Sequence, residues 1–176
     1  MAKTLLICLS ILIFSSCVNQ NAKKESSTSE TMTTYYLIRH AEKDRSDSTN
    51  ADPVLTERGL ERAALWAQYF DTIALNKIYA THYKRTEQTA KFISEHKKLP
   101  IESYNPSTLV SEDFIKQTEG KKVLIVGHSN TTPILANKLY GDGNFEEIPD
   151  NENSRLYIIE LTPGKKNAYF TEVELK

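Results

Sequence analysis

Hydrophobic positions along the chain fall into short unbroken runs separated by longer amphipathic stretches. Tyr35-Tyr36-Leu37-Ile38, Lys77-Ile78-Tyr79-Ala80 and Val123-Leu124-Ile125-Val126 read as strands, and the last is apolar throughout, as a parallel strand covered on both faces should be. Between the first two, Leu60, Ala63, Ala64, Ala67 and Phe70 share one face of a helix that Thr56 can cap. Residues 85–96 read as a second helix, 101–104 as a weaker strand, 108–117 as an amphipathic stretch and 133–140 as a further helix. Two strand patterns, 155–160 and 168–173, flank the turn signal Pro163-Gly164 and predict a closing hairpin. Strands alternating with helices predict an α/β sheet with crossover connections, in one domain over residues 34–176.

The first residues follow a different pattern. Lys3 precedes an apolar run over 5–14, then Ser15-Ser16 and Cys17. Such a run is shorter than the roughly 20 residues a spanning helix needs, and it fits the centre of a signal peptide. Small residues before Cys17 resemble the lipobox of bacterial lipoproteins. Residues 1–16 are therefore expected to be a lipoprotein signal peptide and Cys17 the lipidated first residue of the mature protein; the plainer alternative is a secretory signal in which Cys17 has no role. Residues 18–33, VNQNAKKESSTSETMT, are polar and without period, so 17–33 reads as the lipidated Cys and a flexible tether. The expectation is an exported bacterial lipoprotein, membrane-anchored and facing the periplasm or the cell surface.

Charge and cysteine content narrow the partners. With 22 Lys and Arg against 23 Asp and Glu the net charge is -1, and no basic stripe offers a nucleic-acid footprint. Membrane contact would then come from lipid rather than from a polybasic patch. Cys8 and Cys17 are the only cysteines, so the domain folds without disulfides.

Polar clusters follow three of the predicted strands: Arg39-His40, residues 81–85, and Gly127-His128-Ser129-Asn130. Open α/β sheets bind ligands at that edge, which predicts that two histidines and two arginines share one crevice. Guanidinium groups are planar, permanently charged forks matched to phosphate oxygens, so Arg39 and Arg85 point to an oxyanion. A zinc site from His40, Glu42 and His128 is disfavoured, because both arginines would repel a dication and no cysteine is at hand. Neutral imidazole is a nucleophile, and nearby cations favour that neutral form. These residues predict attack by His40 on phosphorus, with Arg39, Arg85 and His128 meeting the charge on the transferring oxygens. Ser129 and Asn130, at the start of the next helix, are further phosphate-binding candidates.

Leu37-Ile38-Arg39-His40-Ala41-Glu42 resembles the Arg-His-Gly/Ala motif of the histidine phosphatase, or phosphoglycerate mutase-like, superfamily. Leu55-Thr56-Glu57-Arg58-Gly59 resembles its Leu-Thr-x-x-Gly helix start. Thr81-x-x-x-Arg85-x-x-x-Thr89-Ala90 is similar to its Ser-x-x-x-Arg-x-x-x-Thr-Ala segment, and Val126-Gly127-His128 carries its second histidine. The resemblance implies a three-layer α/β sandwich with a mostly parallel central sheet flanked by helices. It also implies a metal-independent phosphatase with a phosphohistidine intermediate on His40, phosphate held by Arg39, Arg85 and His128, and neither metal nor organic cofactor. A small phosphorylated substrate or a phosphoprotein would be the partner.

One element of the family pattern is missing. Members acting on alkyl phosphates bring a carboxylic acid to the leaving oxygen, but Ser129 stands where an Asp would follow the second histidine. Glu42, Glu112 and Asp113 are the remaining acid candidates. Short bacterial members acting on protein phosphohistidine also lack the acid, although histidine phosphorelays are cytoplasmic and this chain carries an export signal. Two alternatives stay open: a lipid-anchored phosphoester-binding module without turnover, and a phosphoglycerate mutase-type phosphotransferase. A serine-hydrolase elbow at Gly127-His128-Ser129 fails, since Thr131 occupies its last glycine position and every histidine precedes Ser129. His96 reads as a solvated cation at a helix end, and His82 as either a loop residue or one facing the substrate.

Overall fold

Apolar runs become strands where both their faces can be covered, and that condition organises the chain. The computed structural model describes residues 31–174; the expected signal peptide, Cys17 and most of the tether lie outside them. The elements are β1 (Thr33–Arg39), α1 (Glu57–Tyr69), β2 (Lys77–Thr81), α2 (Lys84–Lys97), β3 (Ile101–Tyr104), α3 (Glu112–Thr118), β4 (Lys122–Gly127), α4 (Thr131–Tyr140), β5 (Arg155–Thr162) and β6 (Lys165–Glu172). They form one six-stranded sheet in the order β3-β2-β4-β1-β5-β6. The first four strands are mutually parallel and the hairpin β5-β6 adds two antiparallel strands at one side. β1 takes in Thr33, which the sequence pattern left in the tether.

Strand alternation divides the core into two layers. Tyr35, Leu37, Val123 and Ile125 pack on one face with Phe114, Leu135 and Leu139 of α3 and α4. Ile38, Leu124 and Val126 pack on the other with Trp66, Ala67, Ala90 and Ile93 of α1 and α2. The result is the three-layer α/β sandwich that the motifs implied.

Three elements differ from expectation. The buried stripe of α1 is Gly59, Ala63, Trp66 and Ala67, while Leu60 is exposed. Its register is fixed by Gly59, where a Cβ would collide with the Glu42 carbonyl. Leu60 consequently lies one position, about 100°, past the contact. α3 starts at Glu112, later than the 108–117 stretch, because Thr108 and Leu109 donate to the Asn105 carbonyl in a turn and Ser111 caps the helix at Phe114 N. α4 starts at Thr131, which leaves Pro133 in the first turn, where its missing N–H has no intrahelical partner to lose.

Candidate active site

The strand order brings the sequence clusters together. β2, β4 and β1 are adjacent and parallel, so Thr81, Gly127 and Arg39 end at the same edge of the sheet, and His128, from the central strand, falls between the other two loops. The His40 segment is fixed from several sides. His40 N donates to Gly127 O at 2.9 Å, Ala41 N to Thr89 Oγ1 at 2.9 Å, and Asn153 Nδ2 to His40 O at 2.8 Å. Thr56 N donates to Glu42 O at 2.9 Å. Thr56, Gly59 and Thr89 of the motifs thus act on the backbone of residues 40–42.

His40 is 3% exposed, and its Nδ1 lies 2.7 Å from the Ala41 carbonyl oxygen. A carbonyl only accepts, so this contact assigns the proton to Nδ1 and leaves the lone pair on Nε2. Burial lowers the His40 pKa to about 3, against the raising effect of the Ala41 carbonyl and with the help of Arg39, His128 and Arg85. The His128 ring sits 5.5 Å away, centre to centre. Its Nε2 is 2.8 Å from Thr81 Oγ1, which leaves Nδ1 for a ligand. Burial, then Arg85, Arg39 and Lys43, lower its pKa to about 4. Two neutral imidazoles among cations therefore face an incoming anion at neutral pH.

The arginines are held differently. Arg39 Nη1 donates to the carbonyls of Pro149, Asp150 and Glu152 at 2.9, 3.0 and 2.9 Å, and Nη2 donates to Asp150 Oδ1 at 2.8 Å. Arg85 lies over the Tyr83 ring at 4.4 Å and meets the Asp52 carboxylate only at 3.6 Å. In both, the Nε–H is buried and has no partner among the described residues. An unmet buried donor costs about 1–3 kcal/mol, and an oxyanion between the two guanidinium groups would offset it.

A cavity of about 450 Å³ opens on this set and is also lined by Lys43, Tyr83, Ser129, Asn130, Glu147 and Asp150. Ser129 and Asn130 are thus where the sequence put them, the Ser129 hydroxyl lying 3.4 Å from Glu147 Oε1. The acid candidates fare differently. Glu42 is committed to Arg62, whose Nε donates to both its oxygens at 2.9 Å. Glu112 lines a separate cavity with Thr33, Tyr35 and Leu161, at the opposite edge of the sheet, and Asp113 is beside it on the first turn of α3. His82 is largely solvent-exposed, with Nδ1 3.0 Å from Glu87. Among the described residues, no group of three or more His, Cys, Asp or Glu side chains is placed to hold a metal ion.

Sequence reasoning missed Lys43, Tyr83 and Asp150. Tyr83 was readable in principle, since it sits inside the segment from Thr81 to Arg85. Asp150 had no local signal, because it reaches the site from the loop before β5.

Comparison with known proteins bears on this geometry. Residues 35–105 match the model of the histidine phosphatase superfamily (branch 1). That match covers β1 to β3, with the Arg39-His40 and Thr81 to Arg85 segments. Among solved structures, the protein histidine phosphatase SixA complexed with tungstate superposes with a TM-score of 0.63 at 16% identity, covering 79% of this chain and 96% of that one. Phosphoglycerate mutase from Bacillus anthracis str. Sterne gives 0.62 at 16% identity, over 81% and 93%. The alpha-ribazole phosphatase from Shigella flexneri gives 0.59 at 16%, over 80% and 96%. These likenesses establish the phosphoglycerate mutase-like fold. No curated protein matches the sequence.

Proposed function

We propose that the chain is a metal-independent phosphatase of the histidine phosphatase superfamily, hydrolysing a phosphomonoester through a phosphoryl group carried on His40. The observation that carries the reading is the 2.7 Å contact of His40 Nδ1 with the Ala41 carbonyl, which directs the Nε2 lone pair outward among Arg39, Arg85 and His128. Nε2 attacks phosphorus. Arg39, Arg85 and the Nδ1 of His128 hold the equatorial oxygens, with the first turn of α4 at Ser129 and Asn130 beside them. The leaving oxygen departs, water attacks the phosphohistidine, and phosphate is released.

Support comes from the family match over residues 35–105 and from a fold shared with the SixA, phosphoglycerate mutase and ribazole phosphatase structures. The test is turnover of an aryl phosphate, an alkyl phosphate and a phosphohistidine peptide by residues 31–176, beside His40→Ala. Wild-type turnover that is lost in His40→Ala is expected. Oxyanion binding without turnover of any substrate would instead mark a binding module, and phosphoryl transfer to a second substrate in place of water would mark a phosphotransferase.

We further propose that Cys17 carries a lipid that anchors the domain outside the cytoplasm, on the strength of the apolar run and the small residues before it. A Cys17→Ala protein that stays in the membrane pellet would contradict the anchor.

A further inference from the structure

The acid that alkyl phosphate hydrolysis needs is absent from the sequence motifs, but the structure brings a carboxylate to the cavity from elsewhere. Asp150 belongs to the loop before β5 and lines the cavity that holds His40 and His128. Its Oδ1 accepts from Arg39 Nη2 and from Arg45 Nη2, each at 2.8 Å. Both bonds fall on one oxygen. Among the described residues Oδ2 has no partner, and the side chain is 71% exposed, open to substrate and to water.

We propose that Asp150 is the proton donor to the leaving group, and that the substrate class is accordingly an alkyl phosphate monoester. The inference rests on the phosphohistidine reading above. Arg39 is the link. Its Nη1 is taken by three backbone carbonyls, so an oxyanion can reach it only through Nε and Nη2, the nitrogen that already holds Asp150. A phosphoryl dianion and the Asp150 carboxylate then share one guanidinium. Two such anions in contact favour taking up one proton between them. With its arginine partners alone the carboxyl is held below the usual carboxylate range, by Arg45 first and then Arg39. The arriving dianion opposes that hold.

Protonated Asp150 gives its proton to the ester oxygen as the P–O bond breaks and the bond from His40 Nε2 to phosphorus forms, and the alcohol leaves. Water then attacks phosphorus and loses a proton to the Asp150 carboxylate, the P–N bond breaks, and phosphate leaves His40 neutral. Among the described residues Glu147, the other carboxylate lining the cavity, touches Ser129 at 3.4 Å and no arginine, so it does not share a cation with the substrate in this way.

Asp150→Asn is the test, since Asn keeps the shape and an oxygen for Arg39 but donates no proton. General acid catalysis contributes roughly 10²–10⁴-fold. The variant should lose that much kcat/KM on an alkyl phosphate and less than about tenfold on an aryl phosphate, whose leaving group departs unprotonated. Binding of inorganic phosphate should change by less than about threefold. Equal losses on both substrates with weakened phosphate binding would make Asp150 only a support for Arg39, and overturn the proposal. Tighter phosphate binding with faster turnover of both would make it a plug, and a selective loss in Glu147→Gln instead would name another acid. Wild-type protein that cleaves the aryl but not the alkyl ester also overturns it. Wild-type protein inert on every ester, or turnover that survives in His40→Ala, would sink the phosphohistidine reading itself.

Discussion

Arg39 and Arg85 flank the same cavity, yet one is clamped and the other is loosely held. Arg39 is 2% exposed and donates to three carbonyls and a carboxylate of the loop at 149–152. Arg85 has a 3.5 Å contact with the Ala51 carbonyl, a 3.6 Å approach to Asp52 and the face of Tyr83. Arg39 therefore ties the loop before β5 to the end of β1 and contributes a charge at a fixed point. Arg85 can exchange weak partners for phosphate oxygens at little cost. Under the proposed function, Arg39 is scaffold as well as phosphate ligand, and Arg85 is ligand alone.

Removing each arginine in turn is the sharpest way to break this contrast. Arg39→Ala removes the donor to three carbonyls and releases Asp150, which is exposed and keeps Arg45; the acceptors left unmet cost about 1–3 kcal/mol. A large drop in urea midpoint together with lost activity is expected, and an unchanged midpoint would show that the loop does not depend on Arg39. Arg85→Ala should change the unfolding free energy by no more than about 1 kcal/mol, as for other weak, partly exposed pairs. Its kcat should fall roughly 10²–10³-fold, the usual result of removing one donor to a transition-state oxyanion. Equal effects on stability from the two variants would erase the distinction.

A smaller effect concerns the histidines between the arginines. His40 and His128 have folded pKa values of about 3 and about 4, below the ordinary 6.5. The unfolded chain binds more protons across that window, so stability is complete above about pH 6.5 and falls as the pH drops toward 4. Inorganic phosphate favours the protonated imidazoles and should flatten the fall. Arg85→Ala should flatten it as well, since Arg85 is the leading cation acting on His128. Urea midpoints measured between pH 7 and pH 4 check both; a fall as steep with phosphate as without it would place the anion away from the histidines.

The same contrast shows what a sequence makes visible. Arg85 and His128 follow strands whose apolar runs are unmistakable, so strand order alone delivers them to one edge. The partners of Arg39 come from residues 149–152, an irregular loop with no period, and its contacts are made by backbone carbonyls, which no side-chain pattern records. The sheet and its helices were readable because burial imposes periodicity. The face of α1 was misread at Leu60 because the register is set by a close approach of Gly59 to the Glu42 carbonyl, a contact between distant segments. Glu42 looked available as an acid for a similar reason: Arg62, which neutralises it, lies one helix away.

Everything proposed for the site turns on His40 Nε2 carrying the phosphoryl group. Rapid acid-free quenching of wild-type protein with a radiolabelled substrate, followed by peptide mapping, tests it most directly. An acid-labile, alkali-stable label is expected on the peptide containing His40, absent from His40→Ala. A label on any other residue would contradict it, as would steady turnover with label on no residue under conditions where release of phosphate limits the rate.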